Sequence, residues 1–447
     1  MDIKFILVIF LIGFLVFITP TTLRWINGTG GIIGITSYYH TRMSENILSL
    51  NFKDHMSFQG RGFTYPPGFS FILAFFSLFL GASVGSVAAS AFLGGVSSVL
   101  IYLIGKEILK DFDKVYVLLF IFTPGVIYLY SHASPVGGGI TFALASFYLL
   151  LKEKWLICSL FLGLVFLVHP IVGIVFLIIN SLYSYKKHIN KKTLVKMGII
   201  LFLVGFLWYA YLFSSQGLPE TTVLYEEYRQ TGYSLDPTGI DNYFWEFNSF
   251  GILNIALFGL SLFGFYKTKN KFLRIWFLLT LILSFLATRF LIYFIIPTIL
   301  LCFKGADKKR IFYLAIIYTV IAGIGFSFMF SSHIPTERQY NAFMWIKQNT
   351  EENVTVISPW EWGHWVTGIS KRKSFVDGYI EYAPNIKERI NDLEKLRKQC
   401  NQSIINKYGI DYMYIDKDWW KTKQNMSCIS KFDIIYNKTD IQIFKLR

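Results

Sequence analysis

The residues best suited to chemistry lie in polar stretches that interrupt a strongly apolar chain. The richest stretch is 215–248, which holds six acidic residues and one arginine, so its net charge is −5 in a chain of net charge +15. Carboxylates are the ligands that hard divalent cations prefer. We therefore interpret Glu226 or Glu227 as a residue that folds over a substrate or a metal ion. A solvated acidic loop is the alternative interpretation.

A second stretch, Ser358-Pro-Trp-Glu-Trp-Gly-His-Trp365, places three tryptophans around one carboxylate. Indole N–H groups and a carboxylate in an apolar pocket can bind a peptide backbone or a hydroxyl group, and aromatic faces also suit sugars. Because tryptophan favours the membrane interface, a contact between a domain and the membrane is the competing interpretation. The candidate binding residues in this stretch are Trp360, Glu361, Trp362 and Gly363.

Composition decides what kind of protein must position these residues. Of the 447 residues, 53% are hydrophobic and 16% are charged, whereas soluble domains have about 25% charged residues. This excludes a soluble enzyme and predicts an α-helical polytopic membrane protein. Eleven apolar runs are predicted to span the membrane: 5–20, 86–105, 115–131, 136–151, 155–169, 170–185, 196–214, 249–266, 272–287, 289–303 and 311–330.

The positive-inside rule orients these spans and decides whether the further apolar run 67–80 also crosses. Five alternate loops together contain 18 lysine and arginine residues: 106–114, 152–154, 186–196, 267–274 and 304–310. If 67–80 lies in the outer interface, all five loops are cytoplasmic; if it spans, all five are outside. We therefore predict an interfacial 67–80. The charge then needs no nucleic-acid partner, because topology and the anionic inner leaflet account for it.

The same topology predicts that all the sizeable non-membrane segments face outward. The tail mixes a helical pattern over Thr336–Asn349 with strand-like runs, which indicates a small α/β domain. The predicted domains are therefore a transmembrane domain, 1–330, with external loops 20–85 and 215–248, and an extracytoplasmic α/β domain, 331–447. Cys400 and Cys428 both lie in this tail, and we expect them to pair in an oxidising exterior.

The tryptophan-rich stretch, with Lys371-Arg-Lys-Ser-Phe-Val-Asp-Gly378 after it, resembles the Trp-Trp-Asp-Tyr-Gly region of the catalytic subunit of oligosaccharyltransferase. As in that family, it follows the last span and a short helix. Other matches occur in the same order: Ser37-Tyr-Tyr-His-Thr-Arg-Met43, Tyr65-Pro-Pro-Gly-Phe69, Gly105-Lys-Glu107, Thr288-Arg-Phe-Leu-Ile-Tyr-Phe294 and Lys407-Tyr-Gly-Ile-Asp-Tyr412. The resemblance covers nearly the whole chain.

This resemblance implies a GT-C membrane fold that transfers glycan from a polyprenyl phosphate or diphosphate carrier to asparagine in Asn-X-Ser/Thr. It implies that Trp360 and Glu361 hold the hydroxyl of the acceptor's Ser or Thr. By the same correspondence, Glu226 or Glu227 links a metal to the acceptor amide, and Arg289 lies near the active site. The candidate donor-binding residues, from the Tyr-Tyr-His-Thr-Arg match, are His40 and Arg42.

The chain departs from that family where a divalent cation would bind. Thr36 and Ser37 stand where the family has a metal-binding Asp, and Glu361 replaces an Asp. A cation such as Mg²⁺ or Mn²⁺ has therefore lost most of its expected oxygen ligands. Metal-free transfer is the alternative, with Glu45 or Asp54 of the first loop as a candidate general base.

Three hypotheses follow for an integral protein of a prokaryotic cell membrane. The first is a membrane glycosyltransferase that moves a sugar from a polyprenyl-phosphate or diphosphate carrier to an extracytoplasmic polypeptide or glycan acceptor. The second is a non-catalytic relative that binds a lipid-linked glycan or peptide, which the missing aspartate favours. The third is a lipid or solute transporter, which the scarcity of acidic residues within the spans disfavours.

Overall fold

The helices and strands divide between two units of different construction. The computed structural model describes residues 3–63, 65–216, 251–286, 290–305, 309–332, 335–379, 383–416, 426–438 and 440–447. The helical unit comprises Met1–Leu23, Val87–Tyr211 and Arg229–Ser331. The mixed unit comprises Arg24–Ser86, Leu212–Tyr228 and Ser332–Arg447. The first loop of the sequence thus belongs to the same unit as the tail.

Helices make up most of the helical unit and a large part of the mixed unit. In chain order the α-helices are α1 (Ile3–Ile26), α2 (Thr36–Leu48), α3 (Gly68–Leu80), α4 (Ala82–Leu109), α5 (Val117–Ile121), α6 (Pro124–Ser131), α7 (Pro135–Leu151), α8 (Trp155–Val168), α9 (Pro170–Lys186), α10 (Lys191–Gly205), α11 (Leu207–Gln216), α12 (Gly251–Lys267), α13 (Lys271–Leu286), α14 (Leu291–Gly305), α15 (Lys309–Ser331), α16 (Glu337–Asn349), α17 (Gly363–Gly368), α18 (Ile386–Gln399) and α19 (Gln402–Tyr408). Each of the eleven predicted apolar runs is helical over most of its length.

Membrane-spanning length is reached by some of these helices alone and by others in pairs. In the described part of the chain, three helices are long and apolar enough to cross a bilayer, namely α1, α4 and α15. Two bent pairs raise this number to five if each pair is one span: α5 with α6, bent by 66°, and α10 with α11, bent by 45°. Pro124 begins α6 and lacks a backbone N–H, which explains the first bend. The count of eleven spans stays a prediction.

Helix α3, over the run 67–80, has 13 residues, or about 20 Å at the α-helical rise. The hydrocarbon core of a bilayer is about 30 Å thick. Its exposed side chains are apolar, with Phe75, Leu78 and Phe79 exposed by 60%, 65% and 73%. These features fit a helix lying in the membrane interface, as predicted from the charges, and that placement stays a prediction.

The mixed unit contains a β-sheet, as the strand-like runs of the tail predict. The strands are β1 (Lys53–Asp54), β2 (Arg61–Gly62), β3 (Thr355–Ile357), β4 (Lys373–Ser374), β5 (Ile410–Asp416), β6 (Asp433–Lys438) and β7 (Ile441–Lys445). Strands β3–β7 form one sheet in the order β4-β3-β5-β7-β6, with β3 parallel to β4 and β5 and the other pairs antiparallel. The α/β character predicted for the tail is therefore confirmed.

The first loop is built into the hydrophobic core of this tail. Phe58 is 1% exposed and packs among buried residues of the tail such as Phe375 and Met413. Its neighbour Gln59 donates from Nε2 to Thr355 Oγ1 at 3.2 Å. Phe58 and Gln59 have φ of 48° and 62°, a left-handed conformation that non-glycine residues keep only where surrounding contacts enforce it.

The described cysteines differ in their bonding. Cys400 is disulfide-bonded, whereas Cys158 and Cys302 are buried free thiols within helices. The side chain of Cys428, the predicted partner of Cys400, lies outside the described part of the chain.

Candidate functional site

Helix α2 carries the Tyr-Tyr-His-Thr-Arg match and buries polar side chains that a surface helix would expose. Its buried residues include Tyr39, His40 and Arg42. Burial of an arginine or histidine is unfavourable unless other groups compensate for the lost water. Other groups of the mixed unit contact the buried polar side chains of α2.

An ion pair inside the first loop compensates for the burial of Arg42. Arg42 Nη2 lies 2.5 Å from Asp54 Oδ2, and both side chains are 2% exposed. The other oxygen, Asp54 Oδ1, accepts a hydrogen bond from the Ser57 backbone N–H at 3.2 Å. Arg42 Nε and Nη1 are buried and have no hydrogen-bond partner among the described residues. Arg42 thus keeps unused donors in a water-poor environment.

A second buried pair joins the first loop to the tail. Arg61 Nη2 lies 3.4 Å from Asp377 Oδ1, with side-chain exposures of 1% and 0%. Ser57 Oγ donates to Asp377 Oδ2, and the Tyr379 backbone N–H donates to Asp377 Oδ1 at 3.0 Å. Burial alone would raise the pKa of Asp377, but Arg61, His364, Arg42 and the Ser57 hydroxyl together lower it. Asp377 is therefore ionised at neutral pH.

His364, from the tryptophan-rich stretch, completes this cluster. It is 1% exposed, and its Nδ1 lies 3.7 Å from Asp377 Oδ2, too far for a hydrogen bond. Neither ring nitrogen has a hydrogen-bond partner among the described residues. Burial is the main cause that lowers the pKa of His364 to about 4, although Asp377 opposes it. We name Arg42, Asp54, Arg61, His364 and Asp377 the buried ionic cluster; its formal charges cancel when His364 is neutral.

Aromatic rings and His40 adjoin the buried ionic cluster. Tyr39 packs against Tyr379 at a ring-centroid distance of 4.5 Å and against His364 at 5.5 Å. Tyr379 Oη and His40 Nε2 are 3.3 Å apart, and the His40 ring lies 5.0 Å from that of Tyr65. Burial is the main cause that raises the pKa of Tyr39, so this ring stays neutral.

The tryptophan-rich stretch forms a short 3₁₀ turn, Trp360–Trp362, followed by α17. Trp362 stacks on the buried Trp365 at 5.4 Å, and Trp360 packs against the hydrophobic core of the tail. Gly363 touches the backbone of Val376 and Asp377 so closely that a Cβ at this position would collide with it. A glycine here therefore lets the Trp-Glu-Trp turn approach the segment that carries Asp377.

The remaining predicted site residues lie in different environments. Glu45 is 38% exposed and pairs with Lys371 at 2.5 Å, whereas Asp54 is held inside the buried ionic cluster. His40 and Arg42 lie on one helix and are both buried. Predicted groups that fall outside the described residues are Glu226, Glu227, Arg289 and the side chain of Glu361. The roles assigned to all these residues stay predictions.

A divalent cation finds no ligand set in the described part of the chain. No group of three His, Cys, Asp or Glu side chains converges there. The two buried carboxylates nearest to such a role, Asp54 and Asp377, already accept from arginine and Ser57. The residues described do not fit a bound cation, and we derive no step through one.

Sequence reasoning did not assign a role to Arg61, Asp377 or His364. The sequence did contain a sign of buried charge. Arg61 is a single charged residue between Gly60 and Gly62, and Asp377 is one between Val376 and Gly378. Single charges in such surroundings are almost never fully buried unless they are paired. What the sequence lacked was the partner, since Arg61 and Asp377 are 316 positions apart.

The architecture described above matches solved membrane glycosyltransferases. ArnT from Cupriavidus metallidurans, solved with undecaprenyl phosphate, superposes with a TM-score of 0.67 over 100% of this chain and 98% of that chain, at 8% identity. The Archaeoglobus fulgidus oligosaccharyltransferase, tethered to an acceptor peptide with the NVT sequon, gives a TM-score of 0.61 over 96% of this chain and 72% of that chain, at 15% identity. The chain has the GT-C glycosyltransferase fold. The fold expected from the sequence resemblance is thereby confirmed.

Sequence similarity adds one weaker match. Dolichyl-phosphooligosaccharide-protein glycotransferase 2 of Pyrococcus horikoshii is 29% identical over 113 residues. This match covers 25% of the chain and only 14% of that relative. No family model matches the chain. The chain therefore shares the GT-C fold at low sequence identity, and its activity, substrates and partners are matters for proposal.

Proposed function

We propose that this integral membrane protein is a GT-C glycosyltransferase that moves a sugar from a polyprenyl-phosphate or diphosphate carrier to an extracytoplasmic acceptor. The observation that carries the proposal is Arg42, a buried guanidinium with two nitrogen atoms that have no hydrogen-bond partner among the described residues, in a chain of GT-C fold. Arginine binds phosphate oxygens well because its planar N–H donors match their geometry. A solved relative of this fold binds undecaprenyl phosphate, which supports a lipid phosphate as the leaving group here.

The proposed transfer exchanges one bond at the anomeric carbon. The bond between sugar C1 and the carrier's phosphate oxygen breaks, and its electron pair stays on that oxygen. A nitrogen or oxygen atom of the acceptor forms the new bond to C1 and gives up its proton to a base. Preorganised donors stabilise the charge that develops on the phosphate, and we assign this role to Arg42, with His40 on the same helix positioning the donor.

The group that accepts the acceptor's proton is less well defined than the phosphate-binding residue. Asp54 serves poorly because Arg42 and the Ser57 N–H occupy its oxygens. Glu45 is more accessible, since it is 38% exposed, and Glu226 and Glu227 remain our candidates from the acidic loop. We assign Trp360, Glu361, Trp362 and Gly363 to the acceptor. An asparagine in Asn-X-Ser/Thr is the acceptor we propose to test first, because one solved relative carries such a peptide.

The proposed placement of the mixed unit outside the cytoplasm rests on charge. The 18 basic residues in five alternate loops orient the chain with those loops inside. Cysteine labelling of intact cells tests it: Ser403→Cys should react with an impermeant thiol reagent and Lys269→Cys should not. The reverse labelling would invert the topology and remove the functional proposal with it.

The decisive experiment measures release of the lipid phosphate. The purified full chain in nanodiscs is incubated with a short-chain polyprenyl-phosphate sugar and an Asn-X-Thr peptide, with and without EDTA. Losing a preorganised donor costs about 10²–10³ in rate, so we expect that loss for the double variant Arg42→Gln/Asp54→Asn, which removes both charges together. The matched control, Lys407→Met/Asp392→Asn, removes a 2.6 Å pair outside the buried ionic cluster and should retain full activity.

One observation favours the non-catalytic alternative. Asp54 and Asp377, the two carboxylates of the buried ionic cluster, are each paired with an arginine, so neither is a good general base. A binder would retain the lipid-linked sugar saturably and release no lipid phosphate with any donor, with or without a cation. Release that survives EDTA would instead identify a transferase that works without a divalent cation.

A further inference from the structure

The helical unit contains a cleft that is separate from every residue named in the glycosyl-transfer proposal. It encloses about 580 Å³ between α8, α9 and α10, within the roughly 300–1,000 Å³ of small-molecule and cofactor sites. Its inner lining is aliphatic, with Leu162, Leu177 and Leu201, and its other end reaches the basic connection between α9 and α10. The cleft is therefore amphipathic along its length.

The cleft exists because α8 and α10 are close at one point and separate beyond it. At the close point, a Cβ on Gly163 would lie 2.8 Å from Val204 Cβ and 3.4 Å from the Gly205 nitrogen. Nearer the start of α10, a Cβ on Gly198 would meet no atom within 4 Å. Gly163 and Gly205 thus let α8 and α10 close one end of the cleft, while Gly198 lines its open part. The cleft therefore results from how the two helices pack.

The open end of the cleft presents the positive charge of lysine side chains. Residues 186–192 contain four lysines, and His188 and Lys191 line the cleft. Lys187 pairs with Glu153 at 3.6 Å, but in the described part of the chain neither His188 nor Lys191 has an acidic partner. Basic pockets between membrane helices on the cytoplasmic side are suited to anionic lipid head groups.

A buried polar atom on the wall of the cleft also lacks a partner. Asn180 is 3% exposed and lines the cleft. Its Nδ2 donates to Ser146 Oγ at 3.0 Å, but its Oδ1 accepts no hydrogen bond from the described residues. That oxygen is buried among its protein neighbours, so the apolar lining and the basic end of the cleft select the ligand.

We propose that this cleft binds one anionic membrane phospholipid. Its hydrocarbon chain lies along the leucines of α8, α9 and α10, and its phosphate lies at His188 and Lys191. The site is independent of sugar transfer, so its test does not require an active enzyme.

The test uses the purified full chain and native mass spectrometry after titration with phosphatidylglycerol or phosphatidylcholine. We expect one phosphatidylglycerol to be retained per chain, in preference to phosphatidylcholine. Each lysine near a bilayer contributes about fivefold to anionic-lipid affinity, so Lys191→Glu should lower the preference for phosphatidylglycerol by at least about fivefold. The control Lys269→Glu, in another basic loop, should retain it. Soluble glycerol phosphate should not compete, because it lacks the chain.

A second pair of variants tests the shape of the cleft. Gly198→Trp fills the open part and should abolish retention of the lipid. Gly259→Trp is the matched control, because a Cβ there also meets no atom within 4 Å and Gly259 does not line the cleft. Equal retention of the two lipids by the unmodified chain, or equal retention of phosphatidylglycerol by the two tryptophan variants, would overturn the proposal.

Discussion

The helical unit and the mixed unit handle buried polar groups in opposite ways. Among the described residues of the helical unit, the buried polar contacts are between neutral groups, as where Ser97 Oγ lies 2.7 Å from Tyr130 Oη and 2.8 Å from Thr141 Oγ1. In the mixed unit the buried ionic cluster places two arginines and two aspartates out of water. Apolar packing makes the helical scaffold, whereas the buried charged side chains of the described residues lie in the mixed unit, which also holds the proposed phosphate-binding residue.

The largest effect is expected where one charge of the cluster is removed alone. Arg61→Met leaves Asp377 buried without its arginine, and breaking a buried pair in this way typically costs about 3–5 kcal/mol. Hydrogen exchange at the β5 amides of the full chain measures the resulting loss of local stability.

The double variant Arg61→Met/Asp377→Leu is the control for this change. Replacing a buried pair by apolar residues is often neutral, so the double variant should recover most of the stability. If the two variants exchange equally fast, the pair does not stabilise the mixed unit by charge compensation.

The next effect concerns pH and His364. An unfolded chain protonates this histidine below its ordinary pKa of 6.5, whereas the folded chain resists protonation until about 4. The stability that the neutral form contributes is therefore complete above pH 6.5 and is lost as the pH falls from 6.5 to 4, by about 3 kcal/mol. Hydrogen exchange of β5 at several pH values, corrected for intrinsic rates, gives this slope.

His364→Gln removes the titrating group and should flatten that pH dependence. The lowered pKa of Asp377 acts in a different window, because its contribution is lost only as the pH falls below the ordinary value of 3.8. An unchanged slope between pH 6.5 and 4 in His364→Gln would show that another group is responsible.

A smaller effect is expected for the packing of the helical unit. A Cβ on Gly264 would collide with the Leu301 carbonyl of α14, and overpacking of this kind costs about 1–3 kcal/mol. Gly264→Leu should therefore lower the thermal unfolding temperature in detergent. Gly325→Leu, at a helical position with no atom within 4 Å, should leave it unchanged; equal temperatures for both variants would contradict close packing of α12 on α14.

The smallest effect is local to α16. Thr336 caps this helix and forms a reciprocal pair with Gln339, in which each side chain bonds the other's backbone N–H. Thr336→Ala should cost about 1 kcal/mol, seen as faster exchange in the first turn of α16 alone. Thr336→Ser should restore protection, and a loss spread over the whole sheet would argue against a capping role.

Sequence patterns located the elements better than they located the site. The apolar runs form helices, Thr336–Asn349 forms α16 with its cap, and the strand-like character predicted for the tail appears as its β-sheet, which includes β3 and β5. These features depend on neighbours a few residues away. Glu45 and Asp54 were chosen as bases because they are the acids of the first loop. Their partners, Lys371 and Arg42, could not be read from their neighbours.

Membrane character, helical spans and a mixed tail were determined by the sequence itself, because hydropathy, period and capping are properties of short segments. Only the tertiary structure decided that the first loop belongs to the core of the tail and that Arg61 meets Asp377 across 316 positions. It alone decided that Arg42 keeps unused donors and that Gly198 faces an open cleft. Burial is the physical reason: the cost of removing a charge from water depends on every group that surrounds it, and those groups are brought together only when the chain folds.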